Sequence, residues 1–227
     1  MIDSTNNKRA RQTSEDYQQN YKKDREAEIY NIKYRRRWSK RISTWREFGL
    51  LRRMLRNQDR CESLLDLPCG GGRLSSPIAI YTDLLIEADV ALGQLHYGRV
   101  HGIVPTRQAW VAASGFHIPL RDSGVDGTVC VRLNHHLPTE AERELLVREL
   151  LRVSKRFVIM SFFDYYSLKN LLRRLSQPFN HKSTKSTMKV AELRRIACDC
   201  GARLVESPAL FMIGSGHRYA LMVKNRV

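Results

Sequence analysis

The chain lacks the cysteine spacing of a metal centre or a dithiol redox site. It has five cysteines, and no two of them form a C-x-x-C pair. An odd number of scattered cysteines is typical of thiols that stay reduced, so we expect a cytoplasmic protein without a metal site. The cysteines are Cys61, Cys69, Cys130, Cys198 and Cys200.

Long apolar runs are also missing. No segment approaches the roughly 20 apolar residues that cross a bilayer as a helix. The first residues do not show the charged and then apolar pattern of a secretory signal. We therefore expect no membrane span, although a basic N-terminal segment could attach to a membrane surface peripherally.

Negative charge is scarce. The 227 residues include 39 Lys and Arg but only 23 Asp and Glu, which gives a formal net charge of +16. Such a field favours an anionic partner, whether nucleic acid, a membrane surface, or an acidic or phosphorylated substrate. A solvated basic surface without a partner explains the charge equally well. Much of the positive charge lies in the first quarter of the chain.

The chain divides into three parts. Residues 1–13 are polar and predict a disordered tail. Residues 14–60 repeat apolar side chains at helical spacing among many basic ones, which predicts a basic N-terminal helical arm or cap. Residues 61–227 alternate apolar strand patterns with helical patterns and form the main domain.

The main domain is predicted to be an α/β domain with a Rossmann-like, seven-stranded, mostly parallel sheet. Alternating strands and helices imply a parallel sheet with helices on both faces. The last two strands follow each other without a helix, which indicates an antiparallel edge hairpin. Thr139 and Glu142 have capping-box spacing and predict a helix that extends to Val153. The predicted strands are 63–67, 84–89, 108–113, 127–133, 157–163, 203–206 and 218–223.

The most informative segment runs from Leu64 to Arg73. An apolar strand ends at Asp66, passes Pro68 and opens into three consecutive glycines, with a helical pattern behind them. Glycines let the backbone approach a ligand closely, and a helix N-terminus offers unpaired N–H groups. The segment therefore predicts a cofactor cradle.

Three further polar segments follow the ends of later strands. They are Asp89, residues 114–120 and residues 134–138. Ligands of open parallel sheets bind beyond the carboxyl ends of the strands, so these segments are predicted to share one site with the glycine turn.

The ordered set of segments, over residues 61–224, resembles the class I S-adenosylmethionine-dependent methyltransferases. The resemblance is to the small-molecule branch that is similar to ubiquinone-biosynthesis enzymes. It implies S-adenosyl-L-methionine as cofactor, with Asp66 at its ammonium group and Asp89, or secondly Glu87, at the ribose hydroxyls. Ser114 replaces the acid that normally meets the adenine amino group. The other cofactor-binding residues that it implies are Pro68, Gly70, Gly71, Gly72, Arg73, Gly115, Phe116 and Leu133.

Methyl transfer to a hydroxyl acceptor benefits from a base with a pKa near neutrality. His136, and next to it His135, are the candidate catalytic residues, and packing under the loop is the structural alternative for each. The basic arm and residues 164–185 are predicted to frame a pocket for a small or lipid-linked anionic acceptor. RNA is the alternative acceptor, and a non-catalytic binding or regulatory module is the alternative function. A nicotinamide-dependent oxidoreductase is disfavoured, because the turn lacks Gly-x-Gly-x-x-Gly spacing.

Overall fold

The computed structural model describes residues 38–102, 104–176, 186–211 and 215–225. The predicted tail, the first part of the predicted arm and residues 177–185 lie outside the described residues. The helices are α1 (Trp38–Arg56), α2 (Ser75–Ala79), α3 (Leu92–His101), α4 (Glu140–Val153), α5 (Leu168–Ser176) and α6 (Val190–Asp199), with a 3-10 turn at Asn134–His136. The strands are β1 (Cys61–Asp66), β2 (Thr82–Asp89), β3 (Arg107–Ala112), β4 (Val125–Cys130), β5 (Ser154–Phe163), β6 (Ala202–Glu206) and β7 (His217–Lys224).

The strands form one seven-stranded sheet in the order β3-β2-β1-β4-β5-β7-β6. Strands β1 to β5 pair in parallel, whereas β7 is antiparallel to both β5 and β6. The predicted fold class is therefore confirmed, including the antiparallel hairpin. The hairpin has β6 at the edge, because β7 lies between β5 and β6.

Hydrophobic side chains cover both faces of the sheet. Leu64 on β1 belongs to the core that includes Leu51 and Met54 of α1. Its neighbour Leu65 belongs to the opposite core, which includes Leu146 of α4. Successive side chains of a strand point to opposite faces, so one apolar run supplies both cores. Helix α1 is thus packed onto the domain.

Most strand boundaries differ from the prediction by one or two residues, and two differ by three. Strand β4 ends at Cys130 and does not continue to Leu133. Arg132 has a φ of 68°, which an extended strand does not accommodate. Strand β5 begins at Ser154, before the predicted Phe157, because Ser154 already pairs with Val125 of β4.

The predicted capping box of α4 is confirmed. The Thr139 side chain accepts a hydrogen bond from the Glu142 N–H at 3.2 Å. The Glu142 carboxylate accepts one from the Thr139 N–H at 3.0 Å. Both bonds satisfy N–H groups that the first helical turn leaves without partners.

We expect Thr139→Ala to lower the free energy of unfolding by about 1 kcal/mol, because the Glu142 N–H loses its acceptor. Thr139→Ser keeps the hydroxyl and is the matched control. Urea unfolding measures both variants. An alanine variant as stable as the serine variant would show that the cap contributes nothing.

Candidate functional site

The glycine turn lies at the carboxyl end of β1 and is held in a conformation that glycine favours. Gly70 and Gly72 have φ values of 55° and 74°. A Cβ atom on Gly70 would meet no heavy atom closer than Gln94 Oε1 at 4.0 Å, so the space beside it is open. A Cβ atom on Gly72 would lie 3.0 Å from Ser75 Oγ. The turn thus combines a fixed backbone with room for a ligand.

Asp89, at the end of β2, is hydrogen-bonded directly to this turn. Its carboxylate accepts a hydrogen bond from the Gly70 N–H at 2.9 Å and another from the Ala91 N–H at 2.9 Å. The structure therefore brings together the two features that the sequence predicts to share a site. Each carboxylate oxygen has a second lone pair with which it can accept a further hydrogen bond.

Helix α3 supports the turn from the other side. A Cβ atom on Gly98 would lie 3.3 Å from the carbonyl carbon of Gly71 and 2.6 Å from the Trp110 ring. Only a residue without a side chain lets the helix come this close. The absence of a side chain at Gly98 therefore allows α3 to pack against the turn. This role of Gly98 was not predicted from the sequence.

Two further carboxyl groups lie buried below the turn. Neither oxygen of Asp66 meets an N–H or hydroxyl donor within the described residues. The neighbouring Glu87 carboxyl can hydrogen-bond to it only when one of the two carries a proton. Glu87 itself accepts hydrogen bonds from the Ser75 hydroxyl and, at 3.3 Å, from Gln108 Nε2.

Burial shifts the titration of all three acids. It raises the pKa of Asp66 well above its ordinary value; the Glu87 carboxyl raises it further and Arg73 lowers it. Burial also raises the pKa of Glu87 to about 7. It raises the pKa of Asp89, against the lowering effect of hydrogen bonds from the backbone. A cationic ligand group would favour the charged form of these carboxyls.

We expect Glu87 to make stability fall with rising pH. The folded protein holds the Glu87 proton more tightly than the unfolded chain does, so the stabilisation is complete below about pH 4.5 and is lost as the pH approaches 7. The measurement is urea unfolding from pH 4 to 8 (about one unit apart) for the parent protein and Glu87→Gln. The parent should lose more stability over this range than the variant. If the free energy of unfolding changed equally with pH in the two proteins, the raised pKa of Glu87 would be contradicted.

A buried carboxylate of helix α1 joins the turn to two other parts of the site. Glu47 is fully buried. It accepts hydrogen bonds from Arg73 of the glycine turn and from the Tyr219 hydroxyl of β7. It also accepts bonds from Arg132 Nε at 3.2 Å and Arg132 Nη2 at 3.3 Å. Burial and the adjacent Glu47 carboxylate raise the pKa of Tyr219, so its hydroxyl remains a donor.

We expect Glu47→Gln to lower the free energy of unfolding by about 3 kcal/mol, because it leaves two guanidinium groups without their buried counterion. Arg53→Ala is the control from the same helix. It breaks an exposed ion pair with Glu206, which is worth less than about 1 kcal/mol. Urea unfolding measures both. If both variants lost the same free energy of unfolding, Glu47 would contribute no more than an exposed ion pair of α1.

The two predicted catalytic histidines lie in a cluster of rings after β4. His135 is buried and stacks on Phe163, with ring centroids 4.3 Å apart. His136 is partly exposed, and its ring centroid is 4.2 Å from that of His135. His217 meets His135 edge-on at 5.2 Å and Phe163 at 4.3 Å. The cluster thus contains a third, partly exposed histidine.

His217, Glu47 and Tyr219 were not predicted from the sequence. His217 pairs with Phe163 in the antiparallel register of β5 and β7. The first residue of β7 therefore lies at the same edge as the last residue of β5. The predicted antiparallel hairpin could have indicated His217, because an antiparallel strand begins at the edge of the sheet where the parallel strands end. Glu47 left no comparable signal.

The segment after β3, residues 114–120, packs closely against the hydrophobic core. The Ser114 hydroxyl accepts a hydrogen bond from the Phe116 N–H at 3.3 Å. A Cβ atom on Gly115 would lie 2.8 Å from Leu146 and 3.0 Å from Leu133. Phe116 and Leu133 pack against the same core. Close packing thus explains why residue 115 is a glycine, without any contact to a ligand. Ser114 remains the candidate for a polar contact to a ligand in this segment.

Metal-binding clusters and membrane-spanning helices are both absent from the described ranges of the chain. No group of three His, Cys, Asp or Glu side chains is placed to hold a metal ion there. Within the same ranges, no helix combines the length and the apolar character needed to cross a bilayer.

Comparisons with known proteins point to one family. Residues 65–160 match the family model described as a methyltransferase domain. A curated protein of Encephalitozoon cuniculi, provisionally named a methyltransferase, is 32% identical over 111 residues. The match covers 48% of this chain and 49% of the relative, so the chain spans about half the length of the curated protein that it matches.

Solved structures are similar over most of the chain. The magnesium protoporphyrin IX methyltransferase of Synechocystis PCC 6803, with bound SAH, has a TM-score of 0.69 at 16% identity, over 83% of this chain and 88% of that one. The N-methyltransferase NodS of Bradyrhizobium japonicum, in complex with S-adenosyl-L-homocysteine, has a TM-score of 0.63 at 11% identity, over 79% and 86%. At these identities the likeness shows the fold, which is that of the class I methyltransferases.

Proposed function

We propose that this protein is an S-adenosylmethionine-dependent methyltransferase. Its acceptor is a small or lipid-linked molecule, because the chain resembles the small-molecule branch that is similar to ubiquinone-biosynthesis enzymes, and the basic charge of the chain favours an anionic one. The observation that carries the proposal is the bond between Gly70 and Asp89, with open space beside the turn. The matched methyltransferase domain and the ligand-bound relatives support it.

The residues present fit this cofactor. Asp66 offers two buried carboxylate oxygens without N–H or hydroxyl donors among the described residues, which suits an ammonium group. Asp89 keeps lone pairs for the two hydroxyls of a ribose. Gly70, Gly71, Gly72 and Arg73, with Pro68, would lie along the amino-acid part, and Ser114 would accept from the adenine amino group. The cofactor supplies an activated methyl group on its sulfonium, and the protein's own residues position the acceptor.

The histidine cluster provides the acceptor side of the site. His136 and His217 are partly exposed, whereas His135 is buried between Phe163 and the other two rings. A neutral imidazole at this position can take the proton of a hydroxyl acceptor. His136 and His217 are therefore the candidate bases, and His135 positions them through ring contacts with both.

Two arginines support an anionic acceptor. The Glu47 carboxylate holds Arg73 of the glycine turn and Arg132 of the β4 exit together. Both guanidinium-bearing side chains remain about a quarter exposed, at 23%. A guanidinium in a fixed orientation recognises carboxylate and phosphate groups well.

The proposal predicts that S-adenosyl-L-homocysteine binds and that Gly70→Val weakens its binding at least tenfold. Valine would be strained at a φ of 55° and would fill the open space beside the turn. Asp89→Ala should weaken binding to a similar extent. Gly49→Ala is the matched control, because a Cβ atom there meets nothing within 4 Å. Isothermal titration calorimetry measures all four proteins.

Three results would contradict the proposal. Undetectable binding by the parent protein would favour the non-catalytic module. Equal affinity of the parent and Gly70→Val would place the ligand elsewhere. Binding of a nicotinamide dinucleotide instead would favour an oxidoreductase.

RNA is the second candidate acceptor, and the net charge of +16 is the observation that favours it. A protein that contacts phosphates along a strand loses affinity steeply as salt rises. Filter binding of a single-stranded RNA over a salt series tests this candidate. Absence of binding at low salt would exclude it.

A further inference from the structure

Helix α5 is amphipathic, and it packs on the domain with its polar side. Asn170 is buried, and its side-chain amide donates to the Asp164 carbonyl at 2.8 Å. A Cβ atom on Gly216 would lie 2.6 Å from the same amide nitrogen, so helix and loop are in close contact. Arg174 donates to the Tyr165 carbonyl at 2.7 Å and lies over the Tyr165 ring. Polar groups thus hold α5 to the protein.

The apolar side of α5 faces outward. Its leucines are three, four and seven positions apart, so they form one stripe along the helix. They are Leu168 at 50% exposure, Leu171 at 42%, Leu172 at 55% and Leu175 at 65%. Tyr166, just before the helix, is 70% exposed. A surface helix normally turns such a stripe towards the core, and a contiguous exposed apolar patch marks an interaction site.

The charges of α5 identify the kind of partner. The helix carries no acidic residue, and its basic residues Lys169 and Arg173 are exposed, whereas Arg174 contacts Tyr165. The whole chain carries a net charge of +16, so a second copy would be repelled. The basic N-terminal segment would be repelled for the same reason. An anionic lipid surface accepts both features, because leucines enter the boundary of the acyl chains and basic groups meet the headgroups.

The leucine stripe adjoins the histidine cluster. The Arg173 guanidinium lies 5.9 Å from the centre of the Phe163 ring, which stacks on His135. Asn170 packs against Gly216, the residue before His217. A surface that contacts the stripe is therefore next to the rings that are the proposed acceptor site.

We propose that the leucine stripe of α5 docks on an anionic lipid bilayer and presents the histidine cluster to an amphiphilic acceptor at that surface. The docking surface is inferred from the packing and the charges of α5 and does not depend on the proposed function. Only the statement about the acceptor rests on the proposed methyltransferase function.

The test uses the full-length protein and sedimentation with two kinds of vesicle. One is pure phosphatidylcholine, and the other contains about one third phosphatidylglycerol, which gives it negative charge. We expect the parent to bind the anionic vesicles at least tenfold more tightly. The double variant Leu171→Gln/Leu175→Gln should bind the anionic vesicles at least tenfold more weakly than the parent, because two apolar side chains no longer enter the boundary of the acyl chains.

Leu145→Gln is the matched control. Leu145 is 48% exposed on α4, so the substitution removes a comparable exposed leucine from another helix. It should bind vesicles like the parent. Thermal unfolding of each variant checks that the fold is intact, which exposed positions should permit.

Three results would overturn the docking proposal. Equal vesicle binding by the parent and the double variant would assign lipid binding to another basic segment. A change from dimer to monomer in the double variant without lipid would make a second copy the partner. Faster trypsin cleavage within residues 1–37 of the double variant would make the N-terminal segment the partner.

S-adenosyl-L-homocysteine binding by the same proteins separates the two proposals. The double variant should keep the affinity of the parent for this ligand, because both substitutions are at exposed positions of α5. A parent that binds vesicles but not this ligand would refute the proposed function and leave the docking surface standing. The opposite result would refute the docking surface alone.

Discussion

The hydrogen bond between the Gly70 N–H and the Asp89 carboxylate connects the ends of two neighbouring strands. It joins the turn after β1 to the end of β2, and the Ala91 N–H fixes the same carboxylate from the next loop. The parallel pairing of β1 with β2 brings these ends to one edge of the sheet. The turn is therefore held in a fixed position at this edge, and the proposed ligand site depends on it.

Glu47 extends this rigidity to the rest of the site. Its carboxylate contacts the turn through Arg73, the β4 exit through Arg132 and the sheet through Tyr219. Such a group is costly to bury unless its hydrogen bonds are satisfied, and here charged and neutral donors satisfy both oxygens. Helix α1 is thus part of the site's framework as well as a cover for the sheet.

Local patterns were sufficient for most of the fold. Apolar strands, the glycine turn and the Thr139 capping box depend on neighbouring residues, so the sequence shows them directly. The position of Asp89 beside the turn also followed, because parallel strands place their carboxyl ends together. Strand ends were less certain, since the end of β4 depends on the single left-handed residue Arg132.

The missed parts of the site depend on distant residues. Glu47 and Arg132 are 85 positions apart, and Glu47 and Tyr219 are 172 positions apart. No periodicity connects them. The outward leucines of α5 were missed for another reason: a helical pattern shows that one side is apolar, but not which side the protein covers.

The placement of β7 has a consequence for how the protein is made. Strand β7 lies inside the sheet, between β5 and β6, although it follows the other six strands of this sheet in the sequence. Tyr219, which donates to Glu47, leaves the ribosome after every other strand. A nascent chain therefore exposes the side of β5 that β7 will cover until β7 itself has been synthesised. Assembly of the site accordingly waits for β7, and until then β5 presents an open strand edge for which chaperones would compete.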